Sequence, residues 1–495
     1  MNSLLETKRV FFAVLVLGLF ALAARNVADP DVWWHLRTGQ LIIQNHQVFH
    51  ADPYSFTRAG QPWINHEWLS EVAMYSLCWL AGWGGLIVGF AAIIAVSSLL
   101  VYLRSPGRPY VAGIFTLWGA VASAPILGVR PQMFSLLLAS IFLLILERSD
   151  KRPDLLWWTV PLTLLWVNLH AGYFVGIGLM ILFLAGNALE LTFGSEDQTQ
   201  AALHLRDLAL ALLACLAAVP LNPNGIRMYS YPLETIRSSA IQNYVDEWLS
   251  PNFHQARELP FLCMILATLL ALGILSRRLR ARELLLLLAT MWLALRSARH
   301  IPIYVLIAVP ILTGATQSWL DERGFASWFA SKETSPRSRR MLVNAIVLAA
   351  LVVFTFARVR TVIRQQAETE AHHFPTAAVS FMAKQRPPGP IFNDYNWGGY
   401  LIGKLYPGYR VFIDGRTDLY GDSFVDDFYA TYHLTGGWKG TMQQWQIRTV
   451  ILPPDAPLIS ALQSQADWRQ IYADSQAVLL TRKPSHAGPL TYRQY

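Results

Sequence analysis

The residues of this sequence best equipped for chemistry sit in short polar clusters between long apolar runs. "DPDVWWHLRTG" at 29–39 carries Asp29, Asp31 and His35, and "NHEWL" carries His66 and Glu67. "VRPQ" carries Arg130, "NLHAG" carries Asn168 and His170, "NPNG" spans 222–225, and "RSARHIP" carries Arg299 and His300. A carboxylate can activate an acceptor hydroxyl or amide by taking its proton. Guanidinium groups, imidazolium groups or a carboxylate-held divalent metal can absorb the negative charge of a departing phosphate. Carboxylates, arginines and histidines gathered at a bilayer surface therefore suit transfer of a group from a lipid-linked phosphate. Within the first cluster Asp31 ranks first for chemistry, Asp29 second and His35 third.

The elements that must position these residues are membrane helices. The chain has 495 residues, 54% hydrophobic and 15% charged, with a mean hydropathy of +0.32, outside the balance of a soluble domain. A span needs roughly 20 mostly apolar residues. Eleven stretches qualify as candidates: 9–26, 84–103, 110–128, 132–147, 154–169, 172–192, 207–221, 260–276, 283–298, 301–316 and 341–357. The net charge of +8 is dispersed in short groups between them: Lys8 and Arg9; Arg104 and Arg108; Arg148, Lys151 and Arg152; Arg206; Arg277, Arg278, Arg280 and Arg282; and the stretch from Arg323 to Arg340. Alternating spans put all of these on one side, which the positive-inside bias makes the cytoplasm. The expected location is the plasma (inner) membrane, with the N-terminus cytoplasmic. A cleaved signal ending near Ala24 or Asp29 is the competing reading of the start. The dispersed charge is a topology signal and not a nucleic-acid patch. Cys78, Cys215 and Cys263 lie in apolar segments without metal-ligand spacing and read as packing residues.

This divides the chain into a multi-span membrane domain, 1–357, with an external loop at 27–83, and an extracytoplasmic tail, 358–495. The tail changes character: "GPIFNDYN" and "YRVFIDGR" predict short strands flanking a helical "WGGYLIGKLY". "RTVILPP" and "RQIYADSQAVLLTR" predict further strands, and "FVDDFYATYHL" and "PLISALQSQA" predict helices. The expected fold is a polytopic α-helical membrane protein with a small C-terminal α/β domain.

Each polar residue also has a purely structural reading. Trp33 and Trp34 suit interfacial anchors, and Asp31 and His35, spaced i, i+4, share a helical face and can pair. Arg130 before Pro131, and Arg299 with His300, suit snorkelling anchors. His170 suits a hydrogen-bonded loop residue, His46 and His50 surface positions, and Asp246 and Glu247 a solvent-facing or capping role. The joint arrangement outweighs any single residue, because every cluster falls at the external end of a helix, whereas intramembrane polar groups with no common task have no reason to share one face.

"DPDVWWHLR" after a first membrane helix resembles the acidic motif in the first external loop of GT-C superfamily glycosyltransferases, most of all the archaeal-type oligosaccharyltransferase catalytic subunits. "DPYSFTRAGQPWINHEWL" resembles the later part of that loop in protein mannosyltransferases and aminoarabinose transferases, with "HEWL" opening the juxtamembrane helix. The resemblance covers residues 1 to about 105 well and the tail not at all. It implies an inverting transferase that takes a sugar from a polyprenyl phosphate or diphosphate carrier. Asp31, with Asp29, would be catalytic base or ligand of a divalent metal such as Mg or Mn, and Glu67 with His66 a second wall of the site. Arg130, Arg299 and His300 would hold the carrier phosphate on charge grounds, with His35 and His170 as further substrate-binding candidates. The implied partners are a lipid-linked sugar donor, membrane lipids and an acceptor glycan, lipid or protein; no nucleic acid is implied. The tail has no copy of the W-W-D-type sequon-recognition motif, which argues against protein N-glycosylation.

Two rivals stay open at this stage. A transporter or flippase of a lipid-linked substrate predicts mid-membrane polar residues and paired repeats. A non-catalytic envelope-assembly scaffold would use the aromatic, glycine-rich tail to bind a partner, with Asp394, Asp414, Arg416 and Asp418 either fixing turns or lining an acceptor entrance.

Overall fold

A computed structural model describes residues 6–193, 198–274, 279–325 and 337–483. Arg277, Arg278 and residues 326–336 of the basic stretch lie outside the described residues. All the apolar stretches expected from the sequence are helical: Thr7–Ala23, Trp68–Arg104, Pro109–Ser123, Gln132–Arg148, Thr159–Leu169, Tyr173–Phe193, Gln198–Ala218, Leu259–Ile274, Ala281–Arg296, Ile301–Glu322 and Arg337–His373. Among the described residues, 6 stretches are long and apolar enough to cross a membrane: Trp68–Arg104, Tyr173–Thr192, Gln198–Ala218, Ala256–Gly273, Ala298–Glu322 and Ser338–His373. The count of about eleven spans is not established, because helices such as Thr159–Leu169 (11 residues) and Pro109–Ser123 (15 residues) fall short of a full crossing.

The chain packs as two compact units. The first comprises residues 1–29, 38–48 and 65–366. Its most enclosed element is the helix Ile301–Glu322, buried almost without interruption from Ile301 to Ala315, as expected of a helix that is apolar all round. Pro302 stands in its first turn, where the missing N–H leaves no partner wanting. Small residues and back-bonded hydroxyls, such as Thr290 on Leu286 O and Thr313 on Val309 O, let neighbouring helices approach closely. Trp68–Arg104 leaves helical conformation at Ala81 and Gly82, so the segment opened by "HEWL" is a separate helical leg before the span, as the sequence implied.

The second unit comprises residues 30–37, 49–64 and 367–495, so two pieces of the first loop belong to the same compact body as the tail. Its sheet has the order β1-β2-β4-β3, with β1 Ile391–Asn393, β2 Thr449–Leu452, β3 Trp468–Ala473 and β4 Val478–Arg482. β1 and β2 pair in parallel, and the other pairs are antiparallel. The helices Gly398–Leu405, Asp422–His433 and Pro457–Gln463 form where the sequence placed them. "YRVFIDGR" does not become a strand. Val411 makes one isolated bridge, to Ser55, and the segment otherwise runs extended through a cluster of Phe392, Phe412, Phe424 and Phe428.

Trp33 and Trp34 are both 6% exposed, which corrects their reading as interfacial anchors. Trp33 packs edge-on to Tyr400 and beneath Lys404, and Trp34 meets Trp63. The Arg416 guanidinium lies between the buried carboxylates of Asp52 (2.8 Å) and Asp414 (2.7 Å) and over the rings of Trp63 and Tyr54. Asp414 and Arg416 are therefore structural, the first of the two roles the sequence left open. His46 and His50 are exposed, as expected.

Candidate active site

In the first unit the polar clusters meet where the helices end. Asp29 follows Thr7–Ala23, and Arg130 sits in the turn between Pro109–Ser123 and Gln132–Arg148. Glu247 lies in a single 3-10 turn, Asp246–Trp248, and Arg299 in another, Ala298–His300. Two bonds hold these turns together: Ala298 N–H donates to Leu249 O (3.0 Å), and the Ser297 hydroxyl donates to Glu247 O (3.0 Å). Arg130 thereby bridges two carboxylates, those of Asp29 and Glu247, and Arg299 reaches the other oxygen of Glu247 at 3.3 Å. The Arg299 guanidinium also lies over the Trp248 ring, 4.5 Å from its centre, and His300 meets the same ring edge-on.

Glu247 was expected to face solvent or cap a helix; instead its side chain is 15% exposed and shared by two arginines. Burial opposes its ionisation, but the charges of Arg130 and Arg299 outweigh burial and hold the carboxyl below the usual range.

A second cluster adjoins the first. Glu67 Oε1 lies 2.8 Å from His66 Nε2 and 3.5 Å from His170 Nε2, and His66 packs on the Tyr231 ring at 4.5 Å. His170 terminates Thr159–Leu169 in extended backbone. Its Nδ1 receives the Gly172 N–H (2.8 Å) and lies 2.8 Å from Ser135 Oγ. The Ser135 oxygen already accepts from Trp166 Nε1–H (2.7 Å), so its own proton is directed at Nδ1. With Nδ1 an acceptor twice over, the imidazole is neutral and carries its proton on Nε2, toward Glu67. Burial holds its pKa down to about 3, with the Glu67 charge opposing only in part. Only glycine fits at 172, since a Cβ there would come within 2.7 Å of His170 Nδ1 and clash with Ser135 Oγ. His170 feels the charges of Arg299 and Glu247 as well as Glu67, which joins the two clusters electrostatically.

Asparagines brace the surrounding loops. Trp68 Nε1–H donates to Asn168 Oδ1 (2.9 Å), Asn222 donates to Val167 O (2.8 Å), and Asn224 donates to Asn65 O (3.1 Å).

Seven of the residues singled out in the sequence thus lie in the first unit: Asp29, His66, Glu67, Arg130, His170, Arg299 and His300. Asp31 and His35 belong to the second. Asp31 Oδ1 accepts from Trp34 Nε1–H (3.0 Å), and its carboxylate lies against Gly415 so closely that a Cβ there would meet Asp31 Cγ at 2.8 Å. Arg37 donates to Tyr406 O (3.2 Å). The sequence missed Glu247, Ser135, Trp166 and Tyr231. As for the expected Mg or Mn, no group of three or more His, Cys, Asp or Glu side chains among the described residues is placed to hold a metal ion.

Solved structures resemble this chain in fold. The archaeal oligosaccharyltransferase AglB from Archaeoglobus fulgidus, in complex with an inhibitory peptide and a dolichol-phosphate, aligns over 89% of this chain and 69% of its own, with a TM-score of 0.56 and 11% identity. The chain shares its fold with the archaeal oligosaccharyltransferase. The A. fulgidus oligosaccharyltransferase tethered to an acceptor peptide containing the NVT sequon aligns over 91% of this chain and 69% of its own, with a TM-score of 0.57 and 12% identity. ArnT from Cupriavidus metallidurans in the apo state covers 97% of this chain and 98% of its own at 17% identity, but its TM-score of 0.47 is too low to establish a shared fold. No family model matches the sequence, and no curated protein matches it. The resemblance to archaeal oligosaccharyltransferases read from the first loop agrees with this likeness in fold.

Proposed function

We propose that the protein is an integral membrane glycosyltransferase of the GT-C type. In this reading it moves a sugar, with inversion, from a polyprenyl phosphate or diphosphate carrier to an extracytoplasmic acceptor that is a glycan, a lipid or a protein hydroxyl. The observation that carries the reading is the sharing of Glu247 by Arg130 and Arg299, which fixes two guanidinium groups side by side at the helix ends. The fold supports it: the oligosaccharyltransferase that shares it was solved with a dolichol-phosphate and an inhibitory peptide.

The chemistry divides among the residues as follows. The bond between the sugar's anomeric carbon and the phosphate oxygen breaks, and the phosphate leaves with the electron pair. Arg130 and Arg299 stabilise the charge it gains, and because both are already positioned by Glu247 they need no reorganisation as that charge grows. An acceptor oxygen attacks the opposite face of the sugar and gives up its proton to a carboxylate. Asp31 is the proposed base on the resemblance of its motif, and Asp29 is held by Arg130. Neutral His170, with its proton on Nε2, orients Glu67, and Glu67 with His66 lines the sugar side. The positive loops mark the cytoplasmic face, and helices below full crossing length complete a bundle of about eleven spans.

The test is transfer from a radiolabelled polyprenyl-phosphate sugar in membranes, comparing wild type with Asp31→Asn. Transfer by wild type and loss of about a hundredfold in the variant is expected. Equal transfer by both removes Asp31 from the chemistry, and no transfer to any acceptor pool by folded wild type overturns the enzyme reading.

A further inference from the structure

The second unit carries a groove that the transfer chemistry does not use. It is an open groove of about 600 Å³, lined by Arg386, Lys404 and Arg410, by the rings of Tyr409 and Phe56, and by the Pro387–Pro390 turn. No carboxylate is among its lining residues. Lys404 is already neutralised, its ammonium 2.9 Å from Glu370. Arg386 and Arg410 are different: both are exposed, and among the described residues neither has a carboxylate partner. Burial raises the Tyr409 pKa, and the nearby Arg386 charge opposes it only in part.

The walls are fixed. The Tyr409 hydroxyl donates to Pro387 O (2.6 Å), which ties the two turns across the groove. Phe56 is held by its own N–H on Val411 O (3.2 Å) and by edge contacts to Phe412 and Trp445. Unpaired guanidinium groups select an anion and prefer planar, bidentate oxygens. Flat aromatic and proline walls between them suit the apolar face of a ring. The volume is that of a site for a ligand of several rings and not a single ion.

We propose that this groove binds an acidic saccharide, a short glycan bearing carboxylate or phosphate groups, with Arg386 and Arg410 on the anionic groups and Tyr409 and Phe56 against the rings. This inference concerns recognition by the second unit and stands whether or not the first unit transfers sugar.

The experiment is calorimetric titration of the full chain in detergent micelles. Four probes are used: oligogalacturonate, phosphorylated oligomannose, neutral maltotetraose and inorganic phosphate. Saturable, salt-sensitive binding of one or both acidic saccharides is expected, with the better binder naming the anionic group, and no binding of maltotetraose. Arg410→Gln and Ala383→Glu should each weaken it about tenfold. Ala383 is exposed on a helix at the groove, so the second variant adds a carboxylate without removing a wall, and an unchanged near-UV circular dichroism spectrum verifies its fold. The proposal is overturned if neither acidic saccharide binds, if Ala383→Glu and wild type bind alike, or if inorganic phosphate binds as tightly as the saccharides.

Discussion

Arg299 holds the Glu247 carboxylate at 3.3 Å, while Arg130 engages the other oxygen of the same group. Arg130 also engages Asp29, so two carboxylates balance the two arginines, and a lipid phosphate would share the guanidinium groups with these acids. The carboxylate is also what allows two guanidinium groups to stand together in a partly buried place.

Removing that carboxylate should therefore unfold more than it exposes. Glu247→Ala is expected to cost about 3 kcal/mol, the lower end of the range for breaking a buried pair, because Arg130 keeps Asp29 while Arg299 loses its carboxylate. Thermal unfolding in detergent measures it, and a loss under about 1 kcal/mol would mean that solvent screens the arginines.

The neutral His170 gives a pH dependence of known sign. Its folded pKa lies near 3 against an ordinary 6.5, so between these values the unfolded chain binds more protons and stability falls as pH falls. From pH 6.5 to 5 the loss from this group is about 2 kcal/mol. His170→Gln should flatten the pH dependence of the unfolding midpoint by that amount. An unchanged slope would show that the imidazole protonates in the fold.

The second unit rests on Arg416. Replacing it with Ala strands the buried carboxylates of Asp52 and Asp414, at a cost of about 3–5 kcal/mol. Arg416→Lys should recover only part, since a single ammonium cannot reproduce the bond pair that Nε and Nη2 make to Asp414. Hydrogen exchange at residues 391–393 and 449–452 reports the loss; protection equal to wild type in Arg416→Lys would reduce the fork to a point charge.

How much of this was legible in the sequence follows from periodicity and cost. Long apolar runs forced the helices, and Asp29, Arg130, His170 and Arg299 stood out because a charged or imidazole group beside such a run is expensive. Glu247 did not stand out, because an acid in a loop such as "VDEWLSP" is ordinarily at the surface, and its burial comes from turns distant in sequence. "YRVFIDGR" alternates like a strand but has no neighbouring strand to pair with; Ser55, some 350 residues earlier, supplies its single bridge. Trp33 and Trp34 read as anchors because they follow a membrane helix, yet the second unit takes up residues 30–37 and buries both.

Gly415 offers a test of Asp31 that leaves the acid in place. A methyl group there has no room beside the Asp31 carboxylate, so Gly415→Ala should shift that carboxylate and, if Asp31 is the base, lower kcat by about a hundredfold with KM for the donor little changed. A variant that folds normally and turns over at the wild-type rate would show that the position of Asp31 is immaterial.

The most direct measurement is initial-rate transfer from a graded series of polyprenyl-phosphate sugar, with wild type set against the Arg130→Gln/Arg299→Gln pair. Transfer by wild type and a fall in kcat/KM of at least about a hundredfold in the double variant is the predicted result. Equal kcat/KM in a folded double variant would contradict the assignment of the two arginines to the leaving phosphate.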